Sequence, residues 1–414
     1  SDGNLRFEFY KPGADDKLEQ EAQKAGVQPV QLQVVENDKM EVKRVLMGLT
    51  IQYEDQKEVI PLIQSTTGLE YEITTKIKKL VDANKKVIAI VNTGEDPEIQ
   101  NQNISMLLRQ RYQVRNINLA QSIPDNIDVI LINGVKDSLS TDAKENLTAF
   151  INRGGNIFIA QGRIYTDLQT QRATPIQSDI FDLLYSSGLK IQENLVLDRN
   201  CSRVSVQQNM GFIRMNVPME YPFLPIVRNF NKDEIIVKGL EQLSVFFPSE
   251  IDLDSVPNNV NVTPLFSSSN HSSTMTGSYN LNPDPKSNPA LRALNGPGKI
   301  LAAKAEISNI ETGLNSQIIL ISDSRFLLDD GGGRIPENHI FLMNAIDYLA
   351  GDQDLIALRS REITNRPLED ISDDAKKTWK WINITLPSIL IIGFGFFRLQ
   401  RQRKRASILE EIYD

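Results

Sequence analysis

The sequence predicts an α/β protein in three parts: a small β-α-β-β unit, a doubly wound parallel-sheet domain, and a transmembrane helix near the C-terminal end. Three observations lead there. Over residues 87–160 short apolar runs alternate with amphipathic stretches, the β-α-β-α order that covers both faces of a parallel sheet through right-handed crossovers. Val87–Val91 (VIAIV) is apolar at every position, as in a strand buried on both faces. Residues 381–397 carry no charged side chain, and Trp379 and the stem of Arg398 extend the run. At ~1.5 Å rise per residue, ~20 mostly apolar residues cross a ~30 Å hydrocarbon core.

The 414 residues carry a net charge of −8, with 40 % hydrophobic and 24 % charged side chains. That is the balance of an ordinary globular protein of roughly two or three domains. The acidic excess argues against nucleic acid, which draws a basic face or stripe. Cys201 is the single cysteine, so no internal disulfide and no multi-thiolate metal site can form. His271 and His339 are the only histidines, which disfavours a histidine-based metal centre. The chain opens at Ser1 without an initiator Met or a signal peptide, and is expected to begin inside a longer protein.

Residues 1–68 hold the small unit. Residues 5–10 alternate as a strand does, an amphipathic helix over 17–25 stops at Gly26, and an extended run over 31–35 follows Pro29. Two more strands are expected at 42–53 and 57–63, joined by a turn at 54–56. The pattern resembles the second half of a thioredoxin-like domain, whose proline ahead of a strand is cis, but it lacks the CxxC. Residues 69–84 form a connecting helix, with Leu69, Ile73, Ile77, Leu80 and Val81 on one face.

The α/β domain is expected over 85–352. Strands fall at Val87–Val91, 114–119, 129–132 and Asn156–Ala160. Helices lie around 101–112 and 141–153, the second capped by Ser140 or Thr141 and stopped at Gly154. A helix over 180–187 ends at Gly188, and one strand spans 190–197. A β-rich, loop-rich insertion occupies about 199–297, with β-like runs at 235–237 and 243–247. Its last stretch, 267–297, is rich in Ser, Asn, Pro and Gly and reads as a mobile surface loop. Strands at 299–306 and 317–321, a glycine loop at 331–333 and a helix over 337–350 close the domain. Residues 353–375 read as a charged juxtamembrane linker, 376–405 as the transmembrane helix and 406–414 as a cytoplasmic tail. Arg398, Arg401, Arg403, Lys404 and Arg405 outnumber Lys376, Lys377 and Lys380, so the C-terminus is expected in the cytoplasm and the bulk of the chain outside it.

Candidate chemistry is sparse. The turn Thr93-Gly94-Glu95 follows the first parallel strand, where a doubly wound sheet places a ligand, and Asp323 follows the last. Neither GxGxxG nor GxxxxGK[ST] occurs, and Glu95 and Asp96 are better read as charges at a helix N-terminus. The turn after Asn156–Ala160, where a nucleophile elbow would lie, reads Gln161-Gly162-Arg163 and offers no Ser or Cys. Cys201 sits in a loop context, His271 in the Ser/Asn-rich stretch and His339 at the start of a helix, so no triad assembles. No cofactor or metal is expected. A hydrolase or amidotransferase-like enzyme with an unrecognised nucleophile remains an alternative, as does a scaffold binding an envelope sugar or peptide beside residues 93–95.

Several segments carry a resemblance: FEFYKP at 7–12, AGVQPVQLQV at 25–34, KEVIPL at 57–62, LEYEI at 69–73, FLMNAIDYLAGD at 341–352 and, most specific, DLIALRSR at 354–361 before the apolar helix. Together they resemble the gliding-motility-associated ABC transporter auxiliary (GldG) family of the Bacteroidetes type, over essentially the whole chain. The resemblance implies a thioredoxin-like part and a class I glutamine amidotransferase-like domain without its nucleophile. It also implies partnership with an ABC permease and a cytoplasmic ATPase at the bacterial inner membrane, the bulk being periplasmic, and it supplies no catalytic residues. An N-terminal membrane helix and the first thioredoxin-like strands, which the family has, are missing here. In the terminal helix Pro387 removes a backbone donor, and Thr385, Ser388 and Gly395 share a stripe, with Gly393 to one side. Small residues there suit close packing by a neighbouring helix in the lipid.

Overall fold

The computed structural model describes residues 5–10, 16–36, 39–66, 68–81, 85–91, 101–210, 213–310, 312–362 and 373–413. They form two compact units, residues 1–364 and 365–414.

The first unit is built on an eight-stranded sheet. Its strands are β1 (Val87–Val91), β2 (Gln113–Ile117), β3 (Val129–Asn133), β4 (Asn156–Ala160), β5 (Asn229–Phe230), β6 (Val260–Ser267), β7 (Ile300–Ser308) and β8 (Asn315–Ile321). They lie in the order β5-β6-β7-β8-β4-β3-β1-β2. β2, β1, β3, β4 and β8 pair in parallel. From β8 outward, β7, β6 and β5 pair antiparallel, so the expected doubly wound parallel sheet is parallel in one half only. The reason is chain length. Residues 309–314 are too few for the crossover of a dozen or more residues that a parallel neighbour needs, so β7 and β8 must fold back as a hairpin.

The helices are α1 (Asp16–Lys24), α2 (Leu69–Val81), α3 (Gln102–Arg109), α4 (Thr141–Asn152), α5 (Ile180–Ser186), α6 (Pro336–Leu349), α7 (Gln353–Glu362) and α8 (Asp373–Tyr413). Alternation along the central strands feeds two cores. Ile88, Ile90, Val129 and Leu131 face one, with Leu108 of α3 and Phe341 of α6. Ala89, Val91, Ile130 and Ile132 face the other, with Leu147 and Phe150 of α4. α4 shows how local sequence fixes an element. The Ser140 hydroxyl accepts the Ala143 N–H at 3.2 Å, Ala143, Leu147 and Phe150 repeat at helical spacing on the buried face, and Gly154 at φ +84° ends the helix. Burying Leu147 and Phe150 stabilises by roughly 1.5–3 kcal/mol each.

Several expectations change. Residues 5–10 form no strand, and Phe7 and Phe9 are exposed, their rings packed edge-to-face at 5.2 Å. The run 42–53 is broken. Pro29–Glu36 pairs with Lys39–Leu46 and Leu49–Tyr53 with Gln56–Ile60, as separate two-stranded sheets. Gly48 sits at the break, where a Cβ would meet Val27 Cγ1 at 2.6 Å and the Ile60 carbonyl at 2.8 Å. The peptide bond before Pro29 is trans, as are the others among the described residues. Residues 190–197 divide into Lys190–Ile191, paired with Ile251–Asp252, and Leu195–Asp198, paired with Ser272–Met275. Residues 235–237 form a 3-10 turn rather than a strand, and Leu243–Ser244 alone is extended in the run after it.

The insertion over 199–297 is not separate, because β5 and β6 belong to the central sheet. Cys201 opens the strand Cys201–Met210, which pairs with Ile213–Val227, rather than lying in a loop. The stretch 267–297 is ordered. Leu281, Leu291 and Leu294 pack into a third core with Tyr221, Phe223 and Phe247. Its Asn and Asp side chains cap backbone turns: Asn288 donates to the Asn280 carbonyl at 2.7 Å, and Asn282 accepts the Asp284 N–H at 2.8 Å. The expected linker is α7 as far as Glu362, with Leu355 and Ile356 fully buried.

In the second unit α8 runs unbroken through the span and the expected tail to Tyr413, with Pro387 inside it. Its segment Lys377–Arg401, of mean hydropathy 1.7, is long and apolar enough to cross a membrane. Ile389, Leu390, Ile391 and Ile392 are exposed along it.

Candidate functional site

The helices that follow the neighbouring strands β1 and β3 cover opposite faces of the sheet. α3, between β1 and β2, packs into one core, while α4, between β3 and β4, packs into the other. A crevice therefore opens at the carboxyl edge of the sheet where the strand order reverses, the general ligand position of such folds. Thr93, Gly94 and Glu95, expected there, lie outside the described residues.

A cleft of about 640 Å³ occupies this edge. One wall is the turn after β3, with Gly134, Lys136 and Asp137. A second is the short hairpin Ile164–Asp167 with Arg172–Pro175, which presents Tyr165. Phe246 and Phe247 form a third, and the segment after β8, with Ser324 and Arg325, closes it.

Asp323 does not line the cleft but ties two of its walls together. It is fully buried, and its carboxylate accepts the Phe246 N–H at 2.8 Å and the Arg325 N–H at 2.7 Å. Burial pushes its pKa up to about 7, against those hydrogen bonds, which pull it down. The Ser324 hydroxyl accepts the Gly162 N–H at 2.7 Å, and Gly134 passes beside it in the left-handed region at φ +59°. Behind the elbow position Gln161 is fully buried. Its amide donates to the Val135 and Gly162 carbonyls and accepts the Val135 N–H at 2.7 Å. That position thus carries a structural cross-link between β3 and β4.

The ionic groups at the cleft are held by neighbours. Arg325 pairs with Asp330 at 2.6 Å, and the Asp329 carboxylate accepts the Gln102 and Asn103 N–H groups at the start of α3, where the helix dipole favours an anion. Lys136 lies 5.1 Å over the Tyr165 ring. Phe247 adopts φ +52°, a conformation costly for a bulky side chain. It is held by its N–H to the Phe223 carbonyl at 2.8 Å and by ring stacking on Phe223 at 5.9 Å.

The histidines and the cysteine lie elsewhere. His339, on α6, approaches the Gly333 carbonyl at 2.8 Å. The His271 carbonyl accepts the Arg199 N–H, and burial pushes the Cys201 thiol up to about 11. Among the described residues no group of three or more His, Cys, Asp or Glu is placed to hold a metal.

Sequence reasoning missed a buried ionic hub. Asp347 on α6 is fully buried and accepts from Arg111 at 2.8 Å, Arg359 of α7 at 2.6 Å and the Tyr112 hydroxyl. Asp352 bridges Arg111 at 2.7 Å and Lys78 of α2 at 2.6 Å, while Arg359 also donates to the Tyr71 hydroxyl and Asn344. The available signal was Asn344 and Asp347, three residues apart in the otherwise largely apolar run 340–349 of that helix.

A family model described as an ABC-type uncharacterized transport system matches residues 84–345, and one described as a domain of unknown function matches residues 1–52. An uncharacterized protein of Borreliella burgdorferi is 25 % identical over 435 residues, spanning 98 % of this chain and 83 % of its own length. Among solved structures, the mmIFT52 N-terminal domain overlays with a TM-score of 0.41 at 13 % identity, over 64 % of this chain and 97 % of that one. A ThuA-like protein from Bacteroides uniformis overlays with a TM-score of 0.36 at 12 % identity, over 65 % of this chain and 93 % of its own.

Proposed function

The chain belongs to the ABC-type uncharacterized transport system family, and from that premise we propose that it is a non-enzymatic, membrane-anchored auxiliary subunit of an ABC transporter complex. α8 anchors it, its C-terminus is cytoplasmic, and residues 1–364 work outside the cytoplasm beside a permease and a cytoplasmic ATPase. The observation that carries this reading is the family match together with the apolar segment Lys377–Arg401. Residues 1–414 contain no GxxxxGK[ST] loop, in keeping with an auxiliary role beside an ATPase subunit that supplies the energy of transport. In this reading the cleft at the carboxyl edge of the sheet holds a ligand rather than transforming it. The link to gliding motility rests on the sequence resemblance at residues 341–352 and 354–361.

In this reading α8 docks on the permease. Pro387 leaves a carbonyl one turn back without its donor, and a Cβ at Gly393 or Gly395 would meet nothing within 4 Å, leaving room for a neighbouring helix. Purification from native membranes in mild detergent should recover the permease and ATPase with this chain. Its isolation as a lone monomer would sink the proposal.

A further inference from the structure

We infer that the carboxyl-edge cleft binds a neutral saccharide of one or two rings, gripped between Tyr165 and Phe246; this rests on the reading of the cleft as a ligand-holding site. The volume, about 640 Å³, falls within the ~300–1,000 Å³ of small-molecule sites.

The charge pattern selects the class. The cations Lys136, Arg325 and Arg334 face an equal set of carboxylates, Asp137, Asp329 and Asp330, so no net field favours an anion or a cation. An apolar ligand would cover these polar groups, several of which already have protein partners, without adding a hydrogen bond to any of them. A hydroxyl both donates and accepts, so a polyhydroxylated ligand can add hydrogen bonds to cations and carboxylates alike without disturbing their mutual pairing.

The aromatic residues supply the rest. Tyr165 is 45 % exposed on its hairpin although no core requires it there. Its phenol joins an apolar face to a polar tip, as a pyranose with one carbon-lined face requires. On the other side the backbone is forced. Phe247 is held left-handed, and Asp323 fixes the Phe246 N–H from beneath. Strain of that kind, over-determined by its surroundings, is how a fold pre-organises a contact surface.

The test is calorimetric titration and thermal shift of the full chain in detergent, with neutral mono- and disaccharides as one arm and glucose 6-phosphate, free amino acids and nucleosides as the others. At least one neutral saccharide should raise the melting temperature, and Tyr165→Ala should weaken its binding about tenfold while leaving the unliganded melting temperature unchanged. Phe246→Ala serves as a second variant from the opposite wall. The inference fails if no neutral saccharide binds, if only a charged ligand, an amino acid or a nucleoside does, or if both variants bind the saccharide as the parent does. Co-purification with the permease is a separate measurement, so the loss of this inference and the loss of the transporter role are told apart.

Discussion

Arg359, on a helix expected to be a linker, donates at 2.6 Å to the fully buried carboxylate of Asp347 on α6. The same guanidinium reaches the Tyr71 hydroxyl at 2.5 Å, so one side chain joins α2, α6 and α7.

Arg359→Ala should therefore destabilise residues 1–364 more than any surface charge deletion. Breaking a buried pair costs ~3–5 kcal/mol, and the lower end applies because Asp347 keeps Arg111 at 2.8 Å. Tyr71→Phe, which removes one hydrogen bond to the same guanidinium, should cost ~1 kcal/mol. Urea denaturation of both variants gives the comparison, and equal losses would refute the hub.

The pKa of Asp323 is raised from 3.8 to about 7, so the folded state binds a proton there that the unfolded chain has released. Its contribution is fully present below pH 4, is lost as pH rises to about 7, and is constant beyond. The stability of the parent relative to Asp323→Asn should fall across that window and then level off. Denaturation midpoints measured from pH 4 to 8 would show it, and a difference that rises with pH would contradict the assignment.

Gly155→Ala places a Cβ 2.3 Å from the ring of the fully buried Phe150, so the ring must shift within its core. The expected cost is of the order of 1–3 kcal/mol, as for core overpacking. Gly351→Ala meets nothing within 4 Å, and its φ of +82° limits the cost to about 1 kcal/mol of backbone strain. Thermal unfolding should rank the two in that order.

In α8, Ser388→Leu together with Gly395→Leu fills the small-residue stripe and makes the segment, already apolar enough to span, more apolar still. Membrane insertion should be unchanged while recovery of the transporter partners falls several-fold. Unchanged recovery would reduce the helix to an anchor.

The parallel half of the fold was legible because its signals are local. Val87–Val91 and Asn156–Ala160 are apolar runs that end where the structure ends them, and Ser140 and Gly154 bracket α4. The antiparallel half was hidden because β5 and β6 sit among Asn and Pro residues that composition assigns to loops, and their strand identity comes from the pairing of β6 with β7 and of β5 with β6. α7 was hidden for a similar reason. Its charged letters include Arg359, whose charge is buried and paired, and composition cannot distinguish that from a solvated one. At the site, the sheet edge was foreseeable from topology, whereas Tyr165, Phe246 and the left-handed Phe247 meet only through the folded chain.

The pairing of β4 with β8 has a consequence for biosynthesis. Ile157 lies opposite Ile318, so β4 waits at the rim of a growing sheet while more than a third of the chain is still to be made. Until residues 318–321 emerge, the apolar strand Asn156–Ala160 offers an open row of amides and carbonyls to any other strand, a known route to aggregation. Nascent chains stalled before β8 would need a chaperone to cover that rim, and the cleft, whose last wall follows β8, is completed only when the rim is sealed.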